Sequence, residues 1–292
     1  RMNSDPVVDL GDSHAPVPFY VSTRGYGVLV DTFRYADFYF GTHVRLGTPA
    51  PDATPEGPLA TSTDELYKQR ALSQRRAVIE VPVARGVDLY FFAGPALLDA
   101  VRRYVLFSGA GCLPPLWGLG VWYRGSGQFT QDEALALARD LRQSRMPCDV
   151  FGLEPGWHGH AYACTFAWHS ERFPRPQEFL DAMRQDGFRV NLWEHAFTHA
   201  DSPLRREMEA QAGDVEVWGG AVPDFLCSPA RRAFADYHER QFVARGVAGL
   251  KLDECDNSDF IGSPWSFPEY SRFPSGLDGE QMHSVFGLQY QR

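Results

Sequence analysis

The apolar and polar positions change rhythm once along the chain. Up to about residue 92, short β-branched and aromatic runs lie between Gly, Pro, Asp and Thr: Val17–Ser22, Gly27–Asp31, Ala36–Phe40, Val78–Val83 and Val87–Phe92. Runs of that length and punctuation predict antiparallel strands packed as a sandwich. The Pro-, Thr- and Gly-rich stretch Leu46–Glu65 reads as a loop. Leu97, Leu98, Val101 and Val105 recur at helical spacing, so a helix is expected from Pro95 through Tyr104. Gly109–Pro115 then reads as a linker.

From Leu116 onward the apolar runs are nearly continuous and alternate with helical patterns. Runs at Leu116–Tyr123, Asp149–Leu153, Phe188–Trp193 and Val247–Leu252 are followed or separated by helices expected at Gln131–Gln143, Pro176–Asp186, Pro203–Ala212 and Pro229–Arg245. Buried strands alternating with helices predict βαβ units and a parallel sheet. The expected organisation is a partial antiparallel β-sandwich with its exit helix over residues 1–110, followed by an α/β part over 111–292. In a parallel α/β barrel, functional residues gather at the C-terminal ends of the strands.

Composition narrows the class. Over 292 residues the chain is 44% hydrophobic and 22% charged, a globular mix that excludes a disordered or fibrous protein. A net charge of −9 argues against a nucleic-acid partner, which needs clustered Lys and Arg. The sequence lacks any run of about 18 apolar residues, so no membrane span is expected. The first residues, Arg1 to Pro6, show no apolar leader, which favours a cytoplasmic location. Five cysteines stand singly with no CxxC pair, so neither a disulfide framework nor a structural zinc site is expected, and no cofactor is implied. Oligomeric state leaves no mark on the sequence. Lys68 and Lys251 are the only lysines, and all seven tryptophans fall between Trp117 and Trp265.

The strand ends carry the chemistry. The second run ends in Glu154-Pro-Gly-Trp157, the third in Trp193-Glu194-His195, and the fourth in Lys251-Leu-Asp253-Glu-Cys-Asp256. A single carboxylate at a strand end is commonly a helix cap or a solvated loop charge. Repetition at successive strand ends, interleaved with tryptophan, points instead to a carbohydrate ligand: indole faces stack on sugar rings while carboxylates accept from hydroxyls. A retaining glycosidase needs a carboxylate nucleophile and an acid/base group about 5–5.5 Å apart. Asp253 suits the nucleophile, and Lys251, two residues earlier on a strand, projects to the same side and favours its ionised form.

Several segments together resemble glycoside hydrolase family 31, the α-glucosidase and α-xylosidase family. Pro18–Val28 resembles its N-terminal sandwich signature, and Val87–Tyr104 the strand and helix that leave that sandwich. Leu113–Gly120 is similar to the approach to its barrel. Met146-Pro-Cys-Asp-Val150 resembles its second barrel strand, and Gly246–Asp253 its fourth. The resemblance implies a (β/α)8 TIM barrel, an α-linked sugar substrate (α-glucoside, α-xyloside or α-galactoside) and a covalent glycosyl-enzyme on Asp253. It implies further that Trp193 and Trp218 line the sugar subsite, and that Lys251 stands where α-xylosidase-like members also have lysine; Trp157, at the end of the second run, is a further substrate-binding candidate. Glu154 stands where the family usually has an aspartate gripping the outer hydroxyls. Asp256 replaces the acid of the family's segment after the nucleophile. The family's acid/base aspartate lies on a later strand, and none of Asp256, Asp259 and Asp278 fits that segment. The chain is therefore expected to hold only the first half of the barrel.

Two other readings stay open on the residues. His158 and His160, with Glu194, His195 and His199, could place a metal-dependent hydrolase site at the same strand ends, completed by Asp253. Alternatively the tryptophan-rich face could bind carbohydrate without cleaving it.

Overall fold

The computed structural model describes residues 17–40, 77–254 and 267–292. The loop reading of Leu46–Glu65 and the site candidate Asp256 lie outside them. Strands β1 (Phe19–Ser22), β2 (Tyr26–Asp31), β3 (Asp37–Phe40), β4 (Ala77–Glu80) and β5 (Asp88–Ala93) occupy the five short runs. β2 pairs antiparallel with both β1 and β5, while β3 and β4 form a separate antiparallel pair. Helix α1 (Leu97–Phe107) follows, two residues later than its apolar spacing predicted. Its start is set by Asp99, whose carboxylate accepts from the Ala96 amide at 3.2 Å.

The second part is a parallel sheet ordered β6 (Trp122–Arg124), β7 (Val150–Leu153), β8 (Arg189–Glu194) and β11 (Val247–Leu252). Helices α2 (Gln131–Gln143), α3 (Pro176–Gln185), α4 (Arg205–Glu209), α5 (Ser228–Gln241) and α6 (Gly279–Gln291) accompany it. Neighbours in sequence are neighbours in the sheet, as in a barrel wound strand by strand. The core is one continuous cluster between sheet and helices, including Phe151, Phe179, Met183, Leu192, Phe197, Phe242 and Phe286. The caps follow the sequence: Thr130 and Glu133 form a reciprocal capping box on α2, as do Asp278 and Gln281 on α6. The two parts are tied through Arg34, which lies 2.6 Å from Asp278 and 2.9 Å from Glu280 at the start of α6.

Three expectations change in detail. The run Leu116–Tyr123 yields a 3-10 turn over Leu116–Leu119 and only a three-residue strand. Gly120 fits closely against the Asp149 carboxylate, which accepts from the Val121 amide at 3.0 Å and so starts β6. The helix expected over Pro203–Ala212 shrinks to five residues, and the chain turns into a hairpin of β9 (Ala212–Val217) and β10 (Gly220–Pro223). The helix expected over Pro229–Arg245 ends at Gln241, because Phe242 leaves helical geometry to bury its ring against Trp157.

Candidate active site

Parallel pairing sets which side chains meet. Leu153 pairs with Leu192 and Lys251 with Trp193, so Glu154, Trp193 and Lys251 form one row across the sheet. Side chains alternate along a strand, so this row and Asp253, two residues past Lys251, face the same side. Arg124 pairs with Gly152, two residues before Glu154, and joins that side as well. Glu194 falls on the opposite face, toward the helices.

Asp253 sits just beyond β11, its amide bonded to the Glu194 carbonyl at 2.8 Å. Its Oδ2 accepts from the Trp193 indole N–H at 2.6 Å and lies 2.9 Å from Lys251 Nζ. Its Oδ1 accepts from the Glu254 amide at 3.1 Å. Partial burial raises the pKa of this carboxyl, but the Lys251 ammonium and the two N–H donors outweigh it and hold the group below the usual aspartate value. Asp253 is thus an ionised, oriented carboxylate with 38% of its side chain still open to solvent.

Glu154 is buried, yet it faces two cations. Arg124 Nη2 lies 2.7 Å from its Oε2 and Lys251 Nζ 4.0 Å from its Oε1. Lys251 therefore stands between the two carboxylates, in contact with one and within reach of the other. The turn after Glu154 is held by close backbone approach: a side chain on Gly156 would collide with the Gly127 carbonyl. Trp157 is buried and donates from its indole to the Trp193 carbonyl at 2.7 Å, supporting the strand end from behind. Trp193 is buried also, with its indole edge on Asp253 and its ring enclosed in protein. Trp218 is half-buried at the tip of the β9–β10 hairpin, with its ring centroid 5.0 Å from that of His195.

The structure adds residues that the sequence did not single out. Tyr162, on the loop after β7, packs 5.3 Å from Trp193 and 4.8 Å from Trp218, and its hydroxyl donates to Glu254 at 3.3 Å. Burial and the charges of Glu254 and Asp253 push that hydroxyl up to about 12, so it remains a donor. Arg124 is the other, as the partner of Glu154. Neither carried a signal, because their neighbours come from other strands.

The histidines considered as metal ligands are each held through one ring nitrogen, that of His199 being Nδ1, which accepts from the Asp201 amide at 3.1 Å. His158 Nε2 lies 3.1 Å from the Trp193 carbonyl, and His160 Nδ1 lies 2.8 Å from the Ala163 carbonyl. His195 is fully buried, which pushes its pKa down to about 3 and keeps it neutral; its Nδ1 accepts from the Phe197 amide at 3.2 Å. Glu194 faces α5 and α6 instead of the cleft. Among the described residues, no three His, Cys, Asp or Glu side chains converge on a common point.

An ionised carboxylate at a parallel strand end, with tryptophans around it, is an arrangement that glycoside chemistry can use. The profile of the glycosyl hydrolases family 31 TIM-barrel domain matches residues 111–292. The chain belongs to glycosyl hydrolase family 31. Across its whole length it is similar to an α-xylosidase, XylQ, of Lactiplantibacillus pentosus: 24% identical over 304 residues, covering 99% of this chain and 35% of that protein. It is also similar to an α-glucosidase of Saccharolobus solfataricus, 23% identical over 197 residues, covering 63% of this chain and 28% of the relative. The fold matches a solved family 31 dextranase of Flavobacterium johnsoniae complexed with glucose, at a TM-score of 0.71 and 19% identity, over 94% of this chain and 31% of the other. The chain spans about a third of the length of these family members.

Proposed function

We propose that this chain carries the sugar-binding and nucleophilic part of a retaining α-glycosidase, with Asp253 as the nucleophile. The observation that carries this reading is the clamping of Asp253 Oδ2 between Trp193 Nε1 at 2.6 Å and Lys251 Nζ at 2.9 Å. Those contacts keep a carboxylate ionised and aimed, which is what attack at an anomeric carbon requires. A carboxylate oxygen of Asp253 bonds to C1 of the sugar as the bond from C1 to the leaving oxygen breaks. The leaving oxygen keeps the bonding pair and takes a proton from a general acid that is not assigned among the described residues. Water later attacks C1, gives a proton back to that group and releases the carboxylate. Glu154, fixed by Arg124, accepts hydroxyls of the glycosyl unit, and Lys251 donates to a hydroxyl while holding Asp253 ionised. Trp193 and Trp157 support the nucleophile from behind, and Trp218 faces the sugar from the hairpin. The substrate class is an α-linked neutral sugar, xylose and glucose being the first to test because the relatives include an α-xylosidase and an α-glucosidase.

The test is covalent capture. A 5-fluoro-α-glycosyl fluoride needs little protonation of its leaving group, so fluoride departs as the Asp253–C1 bond forms. Intact-mass and peptide analysis after incubation should show one glycosyl unit on the peptide containing Asp253, and none in Asp253→Ala. Label on another residue, or equal label in the variant, removes Asp253 from the mechanism.

A further inference from the structure

The aromatic surface that the cleft presents is not the one expected from the sequence. Trp157 and Trp193 are 1% and 2% exposed, whereas Tyr162 keeps 42% of its surface open. Tyr162 reaches this position on the loop after β7, and that loop is pinned from below. The Cys164 amide donates to the Phe197 carbonyl at 2.9 Å, the His199 amide to the Cys164 carbonyl at 3.0 Å, and the Thr165 amide to the His160 carbonyl at 3.0 Å. The ring is tilted 47° against Trp193 and meets Trp218 nearly edge-on at 87°. Its hydroxyl is tethered to Glu254, the residue after Asp253, at 3.3 Å.

We infer that Tyr162 is the aromatic platform on which the sugar stacks beside Asp253, and a specificity-determining residue for pyranosides. The inference rests on the glycosidase reading for the place of the sugar. It needs only the exposed ring, its fixed loop and its contact with the segment carrying Asp253. Held aromatic rings give large contact area at little entropic cost, so a sugar presenting its C–H face is favoured over an open-chain polyol, which has no such face. The hydroxyl orients the ring through Glu254, and the ring face makes the contact.

Calorimetric titration with methyl α-xyloside, methyl α-glucoside and xylitol checks this in the wild-type chain and in Tyr162→Phe, Tyr162→Leu and Tyr162→Ala. Tyr162→Leu keeps an apolar cover over Trp193, and thermal melts show whether each variant stays folded. The expected result is glycoside affinity within about twofold of wild type for Phe and a roughly threefold to tenfold loss for Leu and Ala. The preference for glycoside over xylitol should shrink in the same two variants. Unchanged affinity in Leu and Ala overturns the inference, as does an equal loss in Phe, or a wild-type chain that binds neither glycoside. Capture on Asp253 is read separately. Label in wild type with unchanged binding in Tyr162→Ala sinks the platform alone, and weakened binding in Tyr162→Ala without any label in wild type sinks the nucleophile alone.

Discussion

At the scale of single residues, the charge state of Asp253 follows from its two nearest donors. Lys251 Nζ at 2.9 Å and Trp193 Nε1 at 2.6 Å both favour the carboxylate over the acid. The folded pKa is depressed, so the reactive form persists as pH falls, until the pH passes through that depressed value. Replacing Lys251 with Met removes the cation while keeping a similar stem, so the Asp253 pKa must rise. The acid limb of the capture rate against pH is therefore expected to move to higher pH in Lys251→Met, with a smaller loss at neutral pH than in acid. A limb that stays in place separates Lys251 from the ionisation of Asp253. Asp253 and Lys251 could be read from the chain, because a two-residue offset on a strand fixes a shared side whatever the register. Tyr162 and Arg124 could not, because their partners lie on other strands and nothing local marks them.

At the scale of elements, strand register decides the membership of the site. The pairing of Lys251 with Trp193, continued from that of Leu153 with Leu192, aligns residues some hundred positions apart in sequence. The apolar runs predicted the strands but carried no pairing, so the contact of Trp193 with Asp253 emerges only in the sheet. The β9–β10 hairpin was hidden for a different reason. Its turn places Trp218 and Gly219 at φ of 52° and 70°, the two left-handed positions of a two-residue hairpin that usually carry Asn-Gly. A tryptophan in the first position masks that signal, while Pro203 and the following charged residues suggest a longer helix. The turn after β7 depends on one glycine in the same way. At Gly156 an added methyl meets the Gly127 backbone, which no rotamer change can relieve. Gly156→Ala is expected to cost about 1–3 kcal/mol in urea unfolding and to weaken glycoside binding, because the segment carrying Glu154 must shift. A variant as stable as wild type with unaltered binding would show that the turn is not under this constraint.

At the scale of the molecule, the nucleophile's strand end is braced from the helix side by Glu194. Its carbonyl receives the Asp253 amide, while its fully buried carboxylate meets Tyr290 Oη of α6 and His238 Nε2 of α5, both at 3.0 Å. His238 Nδ1 lies 2.9 Å from the Phe234 carbonyl, so both ring nitrogens face acceptors, which favours the doubly protonated ring. Burial lowers the pKa of His238, but the Glu194 carboxylate more than offsets it, and the value is raised overall. A histidine raised on folding stabilises the native state fully below its unfolded value, near 6.5. That contribution fades as pH climbs through the folded value. The sequence placed Glu194 at a strand end beside His195, and nothing in the chain announced that it would be buried or that α5 and α6 would supply its partners. Glu194→Gln breaks a buried pair and is expected to destabilise the protein by about 3–5 kcal/mol at pH 6. The gap from wild type should be narrower at pH 9, because the His238 contribution fades as pH rises. Tyr290→Phe, by contrast, deletes a neutral donor and should cost about 1 kcal/mol at both pH values. Urea unfolding of the three proteins at the two pH values decides the point. A Glu194→Gln deficit equal at pH 6 and pH 9 would mean that the brace acts through packing and hydrogen bonding, with no contribution from the charge on His238.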